Sequence, residues 1–164
     1  MIRSAVEGDL PRLQEIYAAG REYMKRIGNP TQWAPTYPEN SALLADIAAG
    51  ELYVCYDEKG VYGVFKLMFG EEPAYAHPVE GEWLNDEPYG TVHRIASDGS
   101  HRGVFDESLD YCKGRIDNVR IDTHPNNKTM QHLCERSGFK RCGMIIIADG
   151  SPRIMYQWIK GVTE

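Results

Sequence analysis

The chain contains no hydrophobic run approaching the roughly 20 residues that cross a bilayer, and no apolar stretch near its start resembles a secretion signal. Its four cysteines form no C-x-x-C pair and no Cys/His spacing typical of zinc. The nucleotide-binding motifs G-x-x-x-x-G-K-[ST] and G-x-G-x-x-G are absent too. These absences argue against a membrane protein, a zinc site and a P-loop or Rossmann domain. We expect a cytoplasmic protein with reduced cysteines, no metal and no membrane partner.

The composition that remains is that of an ordinary globular domain. With 42% hydrophobic and 26% charged residues in 164, the chain can bury one core, and we predict a single domain over residues 1–164. The formal net charge of -6 argues against a protein that binds nucleic acid by neutralising phosphates. The same charge weakly favours a cationic partner.

Hydrophobic periodicity predicts an alternation of strands and helices in a mixed α/β chain. The pattern predicts a single mixed central sheet with helices on both faces, because a β-α-β unit near the middle requires parallel strands and a crossover helix. The predicted strands are 2–6, 52–56, 61–69, 91–97, 118–124, 142–147 and 154–159. The predicted helices are 9–28, 41–49, one around Phe105, Leu109 and Cys112, and one capped by Asn126 or Asn127 and ended by Gly138. The predicted long loops are 28–38 and 70–89.

The loop ASDGSHRGVF at residues 96–105 joins the first strand of that β-α-β unit to its helix. Ligands of open sheets bind at the carboxyl ends of parallel strands, where the next helix presents unpaired N–H groups. Gly99 and Gly103 permit tight turns, and His101 and Arg102 can donate to an anion. On these residues alone, a phosphate site and a plain surface loop are equally good interpretations.

Two longer motifs carry a family resemblance. RGVFDE at 102–107 resembles the pyrophosphate-binding loop of the GNAT N-acetyltransferases, R-G-x-G-x-G/A, and NKTMQHLCERSGF at 127–139 resembles the family's N-x-x-A-x-x-L-Y-x-x-x-G-F helix. The element order agrees with the family over nearly the whole chain. HRIAS, RIDTH and DGSPRIMYQ are similar to strands of a bacterial GNAT subgroup whose members mostly lack assigned substrates.

Two positions depart from the family pattern. Phe105 and Glu107 occupy the places of the loop's second and third glycines, so we expect a weaker or reshaped grip on the diphosphate. Cys134 occupies the place of the tyrosine that many members use to protonate the departing thiolate. Cys134 is either a surrogate acid or a half-buried packing residue.

The resemblance implies acetyl-CoA as the acetyl donor, with its pantetheine arm paired along His93–Ala96 in a gap between that strand and the strand of Asp122. A backbone amide near Ile95 would then stabilise the oxyanion. Asn127 would cap its own helix and contact the cofactor, although capping alone explains it. The implied cofactor-binding residues are Arg94, Ile95, Ala96, His101, Arg102, Gly103, Val104, Phe105 and Asn127.

Transfer to an amine also requires a base, because an amine with a pKa near 10.4 is protonated at neutral pH. His93 is the first candidate, followed by Asp122 and His124. Alternatively, His93 is a hydrogen-bonded core residue and Arg94 forms a structural ion pair with Asp122. The predicted catalytic residues are His93, Asp122 and Cys134.

The two long loops are the candidate acceptor pocket because they are rich in aromatic and acidic residues, which suit an ammonium group. The alternative is that the aromatic side chains pin the loops to the core. The aromatic residues are Trp33, Tyr37, Tyr75, Trp83 and Tyr89, and the acidic ones are Glu71, Glu72, Glu80, Glu82, Asp86 and Glu87. The predicted substrate-binding residues are Trp33, Tyr37, Trp83 and His124.

The sequence therefore predicts an N-acetyltransferase that passes an acetyl group from acetyl-CoA to a primary amine of a small molecule or peptide by direct attack. The alternative is a non-catalytic acyl-CoA-binding module of the same fold that acts as a sensor or partner. We expect a monomer or a homodimer.

Overall fold

Eight strands form one open mixed sheet in the computed structural model, which describes all 164 residues. The spatial order of the strands is β1-β2-β3-β5-β6-β8-β7-β4, and every neighbouring pair is antiparallel except β5 and β6. The predicted mixed sheet with a parallel β-α-β unit is confirmed. The strands are β1 Ile2–Ser4, β2 Leu52–Asp57, β3 Gly60–Phe69, β4 Glu80–Gly81, β5 Gly90–Ser97, β6 Asn118–Thr123, β7 Lys140–Ile146 and β8 Pro152–Ile159.

Four helices cover the two faces of the sheet, as predicted, and none of them is long and apolar enough to cross a membrane. Side chains of α1 and α2, such as Leu13 and Leu43, pack with Val64 on one face. Side chains of α3 and α4, such as Leu109 and Cys134, pack on the other face. The helices are α1 Leu10–Arg26, α2 Asn40–Ala48, α3 Val104–Lys113 and α4 Lys128–Arg136.

The ends of α4 follow the predicted capping chemistry. The side chain of Asn127 accepts a hydrogen bond from the Met130 N–H at 3.0 Å, which satisfies one unpaired donor of the first turn. Gly138 ends the helix with a φ of 86°, a conformation that costs glycine little. The predicted cap of α1 is different, because the Asp9 carboxylate accepts from the side chain of Arg3 and the N–H of Val6 and caps the short 3-10 turn before the helix.

One strand lies inside the segment predicted to be entirely loop. Glu80 and Gly81 pair with β7 opposite Met144 and Gly143. A Cβ on Gly81 would lie 2.0 Å from the Cys142 carbonyl oxygen, and one on Gly143 would lie 2.0 Å from that of Glu80. The pairing depends on two facing glycines that contribute no β propensity, which is why the sequence pattern did not predict it.

The two parallel strands separate almost as soon as they meet. β5 and β6 pair only at Gly90 with Val119 and at Thr91 with Arg120, although both strands continue beyond these residues. The register between β3 and β5 advances two residues on β3 and three on β5 between the pairs Lys66–His93 and Val64–Ala96, so β5 carries a bulge. The gap predicted between the strand of His93 and that of Asp122 is therefore present.

Arg94 lies at this bulge with a φ of 52°, which is strained for a residue with a Cβ. Its environment holds it there. The Arg94 carbonyl accepts a hydrogen bond from the Tyr17 hydroxyl at 2.8 Å, and its guanidinium donates to the Tyr37 hydroxyl and to the buried Asp46 carboxylate. The strained backbone conformation is thus fixed by contacts on the α1–α2 face.

Candidate functional site

Two cavities meet where β5 leaves β6. The helix-side cavity, about 370 Å³, is lined by α1, the end of β5, the start of α3 and α4. The loop-side cavity, about 440 Å³, is lined by loop 32–37, by β5 and β6 and by the turn between β7 and β8. Both cavities contact the same four side chains, so the two spaces are adjacent. These shared residues are Met24, Trp33, Ile95 and Met130.

The loop before α3 presents the unpaired donors that an anion site needs. The backbone N–H groups of residues 104–106, in the first turn of α3, donate to no group in the protein, and the N-cap residue Gly103 has a φ of 74° and no capping side chain. Because the first turn of a helix carries a partial positive charge, these amides can bind a phosphate group. Arg102 is exposed beside them and makes no ion pair.

His101 does not face this group of amides. Its Nε2 lies 2.8 Å from the Asp57 carboxylate, its Nδ1 lies 2.8 Å from the Ser100 hydroxyl, and its ring stacks on Tyr62 at 3.6 Å between centroids. The imidazole therefore ties the loop to the β2–β3 hairpin. The structure thus gives His101 a role in holding the loop, and its contact with the cofactor stays a prediction.

The two departures from the family glycines are accommodated inside the protein. Phe105 is 8% exposed and packs in the core, although it also borders the helix-side cavity. The Glu107 carboxylate accepts hydrogen bonds from the Tyr62 hydroxyl at 2.8 Å and from the ammonium of Met1 at 3.3 Å. Neighbouring Asp106 pairs with Arg136 at 2.7 Å. Both carboxylates are thus partly neutralised, but they still add negative charge to the first turn of α3.

The walls of the helix-side cavity include five of the predicted cofactor residues, Ile95, Ala96, Val104, Phe105 and Asn127. Sequence reasoning did not assign Tyr23, Arg26 or Leu133 to the site. The Tyr23 hydroxyl lies 2.8 Å from the Thr129 hydroxyl and joins α1 to α4 across the cavity wall. Met24 of α1 and Leu133 of α4 both line this cavity because the tertiary structure brings the two helices together.

His93 projects into the loop-side cavity and is paired with an acidic residue. Its Nε2 lies 3.0 Å from Oε2 of Glu72, and the two side chains are 27% and 16% exposed. The hydrogen bond with His93 is the main cause that lowers the pKa of the Glu72 carboxyl, so this group is ionised at neutral pH. A proton on Nε2 would be held by this carboxylate, which leaves Nδ1 able to accept another.

Asp122 lines the same cavity from β6. It accepts a hydrogen bond from the Tyr75 hydroxyl at 2.6 Å, and its other oxygen lies 3.6 Å from Nε of Arg153. Burial raises the pKa of Tyr75 well above its ordinary value, so the hydroxyl remains a donor. The alternative ion pair between Arg94 and Asp122 is wrong, because Arg94 pairs with Asp46 and lines the loop-side cavity instead of the helix-side one.

Some of the aromatic residues in the two long loops line the candidate acceptor pocket, and others anchor their loop to the core. Trp33 and Tyr37 line the loop-side cavity. Trp83 does not, since its Nε1 donates to the Tyr75 carbonyl at 2.9 Å and the guanidinium of Arg120 lies over its ring at 4.4 Å. The structure thus gives Trp83 an anchoring role in the 70–89 loop, and its contact with substrate stays a prediction. Of the acidic residues in that loop, Glu72 alone contacts a residue of the cavity wall.

Two further predicted residues lie outside both cavities. His124 accepts a hydrogen bond from the Asn126 N–H at 3.0 Å, and burial lowers its pKa from the ordinary 6.5. Cys134 is fully buried in the core under α4, and burial raises the pKa of its thiol. The packing interpretation of Cys134 describes its place in the fold, because it lines neither of the two cavities.

Gln32 connects the Trp33 loop to the ends of the parallel strands, a role that the sequence gave no signal for. Its side-chain oxygen lies 3.2 Å from Nδ2 of Asn127 and 3.4 Å from the His124 N–H. Its carbonyl accepts from Nη2 of Arg153 at 3.1 Å. The aromatic wall shared by both cavities is thereby fixed from β6, α4 and β8. No group of three or more His, Cys, Asp or Glu side chains is arranged to hold a metal ion.

No protein-family model matches the chain, and no curated protein matches it. Several solved structures are similar to the chain. An acetyltransferase of the GNAT family from Streptococcus agalactiae 2603 is 28% identical with a TM-score of 0.88, over 98% of this chain and 95% of that one. An acetyltransferase from Staphylococcus aureus Mu50 is 23% identical with a TM-score of 0.70, over 97% and 98%. The chain thus has the fold of GNAT acetyltransferases over nearly its full length, and the resemblance predicted from its motifs is confirmed.

Proposed function

We propose that this chain, whose fold and structural relatives support an acyltransferase of the GNAT kind, transfers an acetyl group from acetyl-CoA to a primary amine. The observation that carries the proposal is the separation of β5 from β6 after Thr91, where two cavities meet. A slot bordered by a free strand edge suits an extended amide-containing arm, because such an arm can pair with the strand as an added neighbour.

The residues around the helix-side cavity fit acetyl-CoA. The amides of residues 104–106 and the guanidinium of Arg102 would hold the diphosphate. The β5 edge at Ile95 and Ala96 would pair with the pantetheine amides, and Asn127 would stay the cap of α4 beside them. Bound acetyl-CoA supplies the activated thioester carbonyl of the transfer.

His93 would take the proton that keeps the incoming amine cationic. The imidazole lies on the loop-side wall, and Glu72 holds its Nε2, so Nδ1 is the atom left to accept. Glu72 is ionised, and its charge would stabilise the imidazolium that forms. The pairing with Glu72 would fix the orientation of the imidazole ring, and the imidazolium would afterwards release its proton to solvent.

Two further steps, stabilisation of the oxyanion and protonation of the departing thiolate, would depend on the backbone and on water. An amide of β5 near Ile95, on the wall shared by both cavities, would donate to the oxyanion, a contribution of about 3 kcal/mol in comparable sites. Cys134 is buried away from both cavities, and its thiol has a raised pKa. Solvent would therefore supply the proton that the departing thiolate needs.

A second candidate function, a non-catalytic acyl-CoA-binding module, is favoured by two observations. Phe105 and Glu107 replace family glycines in the phosphate loop, and Cys134 replaces the family tyrosine. Such a module would need the helix-side cavity but no open loop-side cavity with a paired histidine.

Two measurements on the purified chain separate these functions. Thermal denaturation with acetyl-CoA, CoA or ATP should give stabilisation by the first two that grows with ligand concentration, because both bind the native state. Release of free thiol from acetyl-CoA should then depend on an added amine, with a mass increase of one acetyl group on that amine. Stabilisation without amine-dependent thiol release across a broad panel would identify the module, and stabilisation by ATP alone would reject both.

A further inference from the structure

We infer that the loop-side cavity selects primary amines that carry one positive charge on an apolar body, and that it discriminates against acceptors with a carboxylate beside the amine. This inference rests on the proposed function and names the acceptor class of the same site. Two observations support it: the partners that the charged side chains of the cavity already have, and the apolar character of the remaining wall.

Each arginine of the cavity already has a carboxylate partner, Asp46 for Arg94 and Asp122 for Arg153. Arg94 is committed to the buried Asp46 and to the Tyr37 hydroxyl. Arg153 has a side chain only 5% exposed, and it donates to the Ser151 hydroxyl at 2.8 Å and to the Gln32 carbonyl at 3.1 Å, with Asp122 beside its Nε. A carboxylate brought into this space would lose its water without gaining an unpaired cation, which is costly.

One carboxylate oxygen of the cavity is available for an ammonium. Oδ2 of Asp122 accepts from Tyr75, but Oδ1 receives no hydrogen bond and has Arg153 only at 3.6 Å. Asp149, the other carboxylate on the wall, caps the Ser151 turn with Oδ1, and the residue is exposed, so water screens the charge on its other oxygen. One ammonium group can thus be matched by Asp122, which lines the same cavity as His93.

The rest of the wall suits an apolar body. The side chains of Trp33, Ile121, Met130 and Ile147 border the space, which at about 440 Å³ lies within the usual range for small-molecule sites. Trp33 packs edge-on against Tyr17 at 5.7 Å between ring centroids, so this wall is held in place. A polar body would leave its hydrogen-bonding groups unpaired here.

The transfer step balances with these groups. The ammonium gives one proton to Nδ1 of His93, its nitrogen forms the C–N bond to the acetyl carbon, and the C–S bond to CoA breaks. The second proton lost by the nitrogen ends on the thiolate through solvent, and the imidazolium returns its own to water. A charged carboxylate on the adjacent carbon takes no part and finds no partner.

The test compares four acceptors with acetyl-CoA: 2-phenylethylamine, L-phenylalanine amide, L-phenylalanine and ethanolamine. We expect kcat/KM for the first two to exceed that for phenylalanine and ethanolamine by at least tenfold. Binding of each amine to the CoA-loaded protein, measured by calorimetry, should follow the same order. Phenylalanine and its amide form the matched pair, because they share a body and differ in the carboxylate.

Two variants sharpen the comparison. Ala148→Lys adds a cation on an exposed turn of the cavity wall, and Asp122→Asn removes the partner of Arg153. Each should reduce the preference for the amide over phenylalanine by threefold or more. If the Asp122 variant folds poorly, Ala148→Lys still tests the selectivity, because Ala148 is exposed and its replacement should not disturb folding.

The outcomes separate the two claims. If the two apolar amines bind tightest but release no thiol, the selectivity is supported and the proposed function fails. If phenylalanine or ethanolamine is acetylated as well as the apolar amines, the selectivity is overturned while the proposed function stands. Binding of none of the four overturns the selectivity as well.

Discussion

The two cavities that meet at the split between β5 and β6 are built in different ways. The helix-side cavity uses backbone amides, a free strand edge and two contiguous motifs, residues 96–105 and 127–139. The loop-side cavity uses side chains from several separate segments, held by polar contacts such as those of Gln32. Under the proposed function, the helix-side cavity would bind the acetyl donor through features that many sequences provide, and the loop-side cavity would determine which amine this chain accepts.

The largest expected effect lies in the loop-side cavity, at His93. Changing His93→Gln should lower kcat by about a hundredfold or more, because a positioned base typically contributes 10²–10⁴-fold. The affinity for acetyl-CoA should stay the same, since His93 does not line the helix-side cavity. The measurement is steady-state thiol release beside calorimetric binding. His124→Asn is the control, and equal losses in the two variants would remove His93 from the mechanism.

Glu72 should act through His93 and therefore have a smaller effect. Changing Glu72→Gln keeps the size of the side chain but removes the charge that faces the imidazole, and we expect kcat to fall about tenfold. In a double-variant cycle with His93→Gln, the two losses should not add, because the residues act as a unit. Additive losses would mean that Glu72 only anchors its loop.

The helix-side cavity is tested by a pair of glycines. Gly103 and Gly161 have φ values of 74° and 71°, and a Cβ on either would meet no atom within 4 Å. Changing either to alanine therefore adds similar backbone strain, of about 1 kcal/mol. Gly103→Ala alone should weaken acetyl-CoA binding, by about tenfold, because it shifts the amides at the start of α3. Equal acetyl-CoA affinity in both variants would place the diphosphate elsewhere.

Cys134 should affect stability more than turnover. Changing Cys134→Ala leaves a small space in the core under α4, and we expect a loss of about 1–2 kcal/mol in the free energy of unfolding. The kcat should remain within threefold, because the thiol reaches neither cavity. Chemical denaturation and steady-state kinetics measure the two effects. A large loss of kcat in a variant that stays folded would support Cys134 as the acid that protonates the departing thiolate.

The smallest effect concerns His124. Burial is the main cause that lowers its pKa in the folded protein, so the unfolded chain binds more protons as the pH falls through 6.5. The free energy of unfolding should therefore decline in that range. His124→Asn, whose Oδ1 can still accept from the Asn126 N–H, should show a slightly smaller decline in melting temperature between pH 7.5 and 5.5. An identical decline in both proteins would show that His124 does not contribute.

The sequence predicted the elements of the fold and the helix-side cavity because the responsible signals are local. Gly103 and Gly138 act through their backbone conformations and Asn127 through its capping side chain, so their roles follow from turn and capping chemistry. The strand Glu80–Gly81 was missed because two facing glycines carry no strand signal.

The loop-side cavity was predicted only in part because its contacts join distant residues. Trp33 and Trp83 are both aromatic residues in proline-containing loops, yet one lines the cavity and the other anchors a loop over Arg120. His101 and His93 are both near motifs, yet one pairs with Asp57 and the other with Glu72. Nothing in the local pattern distinguishes the members of either pair, since the distinction depends on which segments the sheet brings together.

The most direct test of the split between β5 and β6 as the donor site is hydrogen exchange with and without saturating acetyl-CoA. We predict that the amides of β5 from Val92 to Ser97 and those of residues 101–106 become protected, because the slot edge and the phosphate loop acquire hydrogen-bond partners. Protection that appears only in another groove, such as the one between α1 and residues 35–41, or no protection at full saturation, would contradict it.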